Sequence, residues 1–183
     1  MLKWILRLAV VAVLLVLGLF FYGGSVPDRH VASVSARYAQ PPEALWAALT
    51  DVMRFPEWRG DLKSVELLTD VDGHRRWREV GDWGTLTFEV IESEPPRRLA
   101  TAILYAADEK PDFSGSWIFE LSPDGAGTRL TITEDGRIHN QIFRGLAATV
   151  MGYQSTQERY LKALGKTFGE EVAPLRGAVT VGD

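Results

Sequence analysis

One helical period stands against seven strand-like runs in this sequence, and that imbalance limits the fold more than any other feature. From Gln141 to Phe168, the residues Phe143, Leu146, Val150, Tyr153, Leu161, Leu164 and Phe168 recur at threes, fours and multiples of these, with polar residues between them. This spacing predicts a long amphipathic helix. Ahead of it, "VASVSARYA" alternates, with Val34, Ala36 and Tyr38 on one side and Ser33, Ser35 and Arg37 on the other. Further strand-like runs cover Leu62–Leu68, Arg75–Val80, Thr85–Glu92, Arg98–Tyr105, Gly115–Ser122 and Thr128–Arg137, separated by the turn chemistry of "DVDG", "PP" and "PDGAG". A short helix over "QPPEALWAALTD" has proline in its first turn, Glu43 near the positive end of its dipole, and Leu45, Trp46 and Leu49 as its apolar stripe. A sheet of about seven antiparallel strands must bend around one long helix to bury its apolar face. One helix cannot fill the enclosed space, so a cavity is predicted. Gly145 and Gly152 inside the helix each cost up to about 1 kcal/mol against alanine, which calls for a kink or a close contact.

The amino-terminal stretch obeys different rules. "MLKWILRLAVVAVLLVLGLFFYGG" carries no charge from Leu8 to Tyr22 and has no polar face at helical spacing. At about 1.5 Å per residue, Trp4 to Tyr22 makes a helix of roughly 28 Å, close to the hydrocarbon thickness of a bilayer. A single transmembrane anchor over residues 1–24 is predicted. Lys3 and Arg7 keep its amino terminus cytoplasmic and place the domain outside, at the cell membrane. An uncleaved or cleaved secretory signal shares the basic start and the apolar run. Phe20, Phe21 and Tyr22 resemble an interfacial aromatic anchor, whereas small residues suited to cleavage occur only around Gly23, Gly24 and Ser25, so retention is the expectation.

Charge and motif content narrow the chemistry. A net charge of -4 offers no basic surface for phosphate backbones, so no nucleic-acid partner is expected. With no cysteine, thiol catalysis and thiolate metal sites are excluded. His30, His74 and His139 fall in a linker, a turn and the approach to the last helix, as surface residues without metal-ligand spacing, and no metal is expected. Nucleophile-elbow, P-loop and dinucleotide glycine patterns do not occur, and no cofactor is predicted.

The residues "PPEALWAALTDVMRFPEW", "ESEPPRRLA", "GSWIFELSPDGAGTRLTITEDG" and "TQERYLKAL", in this order, resemble the SRPBCC superfamily, which includes START-like lipid-binding and polyketide cyclase/dehydrase-like proteins. The resemblance implies an α+β helix-grip fold, a curved antiparallel sheet wrapped around a long carboxyl-terminal helix. The predicted organisation is an anchor at 1–24, a linker at 25–30, a START-like domain at 31–170 and a flexible tail at 171–183. In that fold the short helices after the first strand close one end of the grip, which sets Phe55 and Trp58, around Pro56, at the cavity's end. Most soluble members of that superfamily lack the amino-terminal span.

Alternation then selects candidate site residues. Glu134 shares a strand side with Leu130 and Ile132, and Glu79 shares one with Trp77, so two carboxylates face the apolar interior as weak candidates for acid/base catalysis or ligand anchoring. The alternative for Glu134 is a bulge at Asp135–Gly136 that turns it outward. The predicted ligand-binding set is Phe55, Trp58, Trp77, Trp83, Phe88, Ile103, Tyr105, Trp117, Phe119, Glu134, Val150 and Tyr153. Trp83, between Gly81 and Gly84, sits at a hairpin tip where it touches ligand or membrane, or packs across the hairpin. These residues point to a membrane-tethered domain that binds or carries a hydrophobic small molecule or lipid. A cyclase- or dehydratase-like enzyme and a noncatalytic envelope interaction module are the alternatives.

Overall fold

The computed structural model describes residues 1–82, 84–105 and 111–182. Helix α1 (Leu2–Ser25) is followed by β1 (Arg29–Tyr38), α2 (Pro42–Thr50), a 3-10 turn (Val52–Arg54) and α3 (Phe55–Trp58). Strands β2 (Leu62–Val71), β3 (His74–Gly81), β4 (Gly84–Glu94), β5 (Arg98–Leu104), β6 (Phe113–Asp124) and β7 (Gly127–Ile138) come next. Helix α4 (Gln141–Leu146), a π-helical turn (Ala147–Met151), α5 (Ser155–Thr167) and β8 (Leu175–Val181) complete the chain. The described strands form one antiparallel sheet in the order β2-β3-β4-β5-β6-β7-β1-β8, with α5 against its inner face. This is the helix-grip architecture the sequence implied.

Alternation decides the inner face. In β1 the buried residues are His30, Ala32, Val34, Ala36 and Tyr38, one in two, as a half-buried strand requires. Val34, Tyr38, Leu130 and Ile132 meet Leu45 and Leu49 of α2 and Leu161 and Leu164 of α5 in the main core. The Tyr38 hydroxyl donates to the Leu161 carbonyl at 2.8 Å, and Gln157 Nε2 donates to the Ala32 carbonyl at 2.8 Å. These bonds tie α5 to the sheet while satisfying polar groups inside it. Burial, aided by neighbouring Tyr160 and Glu170, pushes the Tyr38 hydroxyl pKa well above its ordinary value, so it stays a neutral donor.

Five expectations change. The long helix is interrupted: Gly152, at φ 73° and ψ 147°, ends the π-helical turn in a region essentially reserved for glycine, and α5 alone forms the grip. The segment expected to fray carries β8, which pairs with β1 and makes the sheet eight-stranded among the described residues. Gln154 Nε2 donates to both the Ser33 and Gly177 carbonyls, at 2.8 and 3.0 Å, bridging the two strands. The expected linker shrinks to residues 26–28, because α1 runs to Ser25 and β1 begins at Arg29. His30, expected at the surface, is therefore a strand residue facing inward and only 3% exposed. Finally, no bulge interrupts β7 at Asp135–Gly136: its pairing is continuous with β6 from Gly127 to Ile138 and with β1 from Thr128 to Arg137.

Candidate ligand-binding site

Toward the Tyr38 end of the sheet, α2 and α5 fill the inner face. At the other end they leave it partly uncovered, and a cavity of about 260 Å³ remains, bordered by Leu49 of α2 and Thr156 and Tyr160 of α5. That is many times the roughly 10–15 Å³ a single water needs. Its walls are Trp77 and Phe88, stacked with ring centroids 5.4 Å apart, together with Ile103, Trp117 and Phe119 from successive strands and Phe55 from α3. Aromatic walls of this kind offer a large apolar contact area with few polar partners for water.

One polar cluster borders the cavity at β3. Arg59 Nη1 donates to both oxygens of Glu79, at 3.1 and 3.0 Å, Arg59 Nη2 donates to Asp61 at 3.0 Å, and the Trp77 indole donates to Glu79 at 2.9 Å. Burial opposes the Arg59 charge, but Glu79 and Asp61 outweigh it and hold the guanidinium pKa above its usual value. The same cation lies 5.6 Å from the Phe55 ring centroid and 5.5 Å from that of Tyr160. Burial raises the Tyr160 hydroxyl pKa, with Arg59 opposing, so the group is neutral. Glu79, 3% exposed, is thus fully engaged as an acceptor.

A second cluster lies at the opposite pole. His30 Nε2 is 3.4 Å from Glu134 Oε1, and the His30 and Tyr153 ring centroids are 4.5 Å apart. Gly136 makes room for the pair, since a Cβ there would lie 2.7 Å from His30 Cε1 and 2.9 Å from Glu134 Oε1. Neither His30 Nδ1 nor the Tyr153 hydroxyl, both buried, has a hydrogen-bond partner among the described residues. Burial, and then Tyr22 nearby, raises the Tyr153 hydroxyl pKa. Buried polar atoms without partners are uncommon, and these two border a cavity large enough to hold what completes them.

Of the predicted residues, Phe55, Trp77, Phe88, Ile103, Trp117, Phe119, Glu79, Glu134 and Tyr153 line the cavity. Three do not. Val150 is 78% exposed and does not line the cavity, although Ala147 and Met151 of the same π-helical turn do. Trp58 packs edge-on against Tyr160, centroids 5.1 Å apart, behind Phe55. Tyr105 gives its hydroxyl to the Phe113 carbonyl at the end of β5. Trp83 lies outside the described residues. Sequence reasoning passed over His30, Arg59 and Tyr160. Carrying the β1 alternation two residues upstream from Ala32 reaches His30; Arg59 lies just past α3 in no periodic pattern.

The family described as "Polyketide cyclase / dehydrase and lipid transport" matches residues 29–168. The chain belongs to this family. The match spans β1 through α5, so α1 and β8 lie outside the part shared with the polyketide cyclase/dehydrase and lipid transport family. Among solved structures, a Mesorhizobium loti protein is 28% identical, with a TM-score of 0.54 over 75% of this chain and 98% of its own. A Streptomyces aromatase/cyclase is 20% identical, TM-score 0.60, covering 74% of this chain and 91% of that one. A START superfamily protein from Mycobacterium smegmatis is 19% identical, TM-score 0.60, over 75% and 96%. The last two likenesses establish the fold. Comparison with curated proteins finds no match.

Proposed function

We propose that this protein binds or carries a mostly apolar molecule with one polar end, a lipid or hydrophobic small molecule, while tethered to a membrane by α1. The observation that carries the reading is the cavity of about 260 Å³, walled by Trp77, Phe88, Trp117 and Phe119. Empty, such walls lose dispersion contacts that an apolar ligand restores. His30 Nδ1 and the Tyr153 hydroxyl supply hydrogen bonds for the polar end. Family membership supports a ligand of this class. The tether rests on α1, a 24-residue helix long and apolar enough to cross a bilayer, whose most apolar 18-residue window is wholly unburied.

The approach of His30 to Glu134 favours one second reading, acid/base catalysis of a cyclase or dehydratase type on the bound molecule. Glu79, locked to Arg59, lends this less support. The test is native mass spectrometry of the full chain purified in detergent from its own host, followed by titration with a fluorescent fatty acid and a fluorescent phospholipid. Binding that Ile103→Trp abolishes by filling the cavity is expected. If the wild type carries and binds nothing, the binding reading fails; conversion of the bound molecule would favour the catalytic one.

A further inference from the structure

We infer that the helical run Gln141–Met151 enters the lipid layer beside α1 and opens the cavity there, so that a ligand passes between bilayer and cavity without crossing water. This rests on the reading of α1 as a retained span.

The packing of α1 on α4 gives the direction. A Cβ on Gly23 would lie 1.8 Å from the Gln141 carbonyl oxygen, and one on Gly145 would lie 2.7 Å from the Leu19 carbonyl oxygen. These are backbone-to-backbone contacts that only glycine permits, and small residues are what allow helices to approach closely in lipid. Gln141 lies by Gly23, and Gly145 by Leu19, so α4 runs antiparallel to α1, from its end back along the span. Leu19 precedes the end of α1 at Ser25 by about 9 Å of helix. With the aromatic residues Phe20, Phe21 and Tyr22 at the interface, Leu19 stands within the hydrocarbon. Leu146 and Ala147 keep right-handed helical dihedrals, so the run continues past this level into the π-helical turn.

The chemistry of the run matches that depth. No charge occurs from Gly145 to Tyr153. Phe143, Val150 and Met151 are 39%, 78% and 41% exposed, an apolar tip that the protein covers only in part. Arg144, the run's single charge, reaches back toward the domain, donating to the Val26 carbonyl at 2.9 Å and the His139 carbonyl at 3.2 Å. The Thr149 hydroxyl donates to the Gly145 carbonyl at 2.7 Å, satisfied within the helix as lipid exposure demands. The same element borders the cavity: Phe143, Ala147, Met151 and Gly152 are lining residues, next to Tyr153. An apolar tip on a soluble domain is an aggregation hazard; placed beside a span and forming the mouth of an apolar cavity, it is a portal.

The sequence contains no cysteine, so single labels can be placed at will. Val150→Cys, Met151→Cys and, as an aqueous control in the β2–β3 turn, Asp72→Cys are labelled with a polarity-sensitive fluorophore in the full chain. The chain is then reconstituted into phosphatidylethanolamine/phosphatidylglycerol vesicles containing acyl-brominated lipid. Quenching several-fold stronger at positions 150 and 151 than at 72 is expected; equal quenching overturns the inference. So does unquenched Val150→Cys that cross-links between chains, which would make the tip a contact between copies. Val150→Asp should slow loading of fluorescent fatty acid from vesicles several-fold while leaving its binding in detergent unchanged, since Val150 lies off the cavity; unaltered loading counts against the portal. Intact mass reads the anchor separately: a mature chain beginning near Ser25 removes the tether and this inference together. Absence of binding in detergent by the wild type defeats the proposed function alone, and the quenching pattern still decides the portal.

Discussion

His30 and Glu134 meet on the inner face of the sheet with Nε2 and Oε1 3.4 Å apart, over the space that Gly136 leaves clear. His30 pairs across the strands with Gly136, and Ala32 pairs with Glu134, so the contact is diagonal and needs a position without a side chain beside it. Gly136→Ala is therefore expected to displace the imidazole, to cost about 1–3 kcal/mol as overpacking does, and to weaken ligand binding. Denaturant midpoints and ligand titration check the two effects. His30→Phe keeps the ring but loses its nitrogens, and should weaken binding by up to about tenfold with little loss of stability, in line with the net worth of one hydrogen bond. Unchanged affinity in both variants would remove this pole from the binding site.

Arg59 and Glu79 form a different kind of pair, with 16% and 4% side-chain exposure. Arg59→Met strands a buried carboxylate and is expected to cost about 3–5 kcal/mol, most of it recovered when Glu79→Gln is added. Urea unfolding of the two single variants and the double gives the coupling. A single-variant loss under about 1 kcal/mol would mean that water or another group replaces Arg59 as the partner of Glu79.

Gly152 sets the break between the π-helical turn and α5, at φ 73° and ψ 147°. A Cβ there meets nothing within 4 Å, so Gly152→Ala tests backbone strain alone. The expected cost is about 1–3 kcal/mol. A neutral or stabilising result in thermal unfolding would show that the segment prefers a continuous helix.

Asp135 is hydrogen-bonded through both oxygens by Arg29 at 3.0 Å, which holds its carboxyl pKa below the usual range. A folded-state value below the unfolded one contributes stability above the ordinary aspartate pKa of about 3.9, and that contribution disappears as pH falls through the folded value. The side chain is 43% exposed, so the contribution is small. Carboxyl NMR should find Asp135 titrating low in the wild type and nearer its ordinary value in Arg29→Met; no difference would assign the lowering to other groups.

With α1 as a retained span, Lys3 and Arg7 before it predict a cytoplasmic amino terminus and a domain on the far side. A carboxyl-terminal reporter that is active only after export should be active when fused to this chain. Activity confined to a cytoplasmic reporter would reverse the orientation and put the cavity on the other side of the membrane.

What was legible in the sequence was whatever repeats with a period. Alternation identified β1 through β7 to within a few residues and correctly turned Trp77, Glu79, Phe119 and Glu134 inward, because a strand's side chains must alternate wherever one face is buried. The apolar run of α1 and the need for a cavity were likewise visible in content and in the ratio of strands to helix. The tertiary structure decided the rest. β8 is held by backbone pairing to β1 and exposed throughout, so burial left no pattern in its sequence. Val150 follows the helical period of α5 yet points away from it, because a glycine four positions before Thr156 switches the backbone, a change in φ that hydrophobic spacing does not record. His30 and Tyr153 are brought together from opposite ends of the domain, and Gly23 and Gly145 from α1 and α4. Contacts between residues distant in sequence depend on where whole elements pack, and only the curved sheet with its broken helix sets those positions.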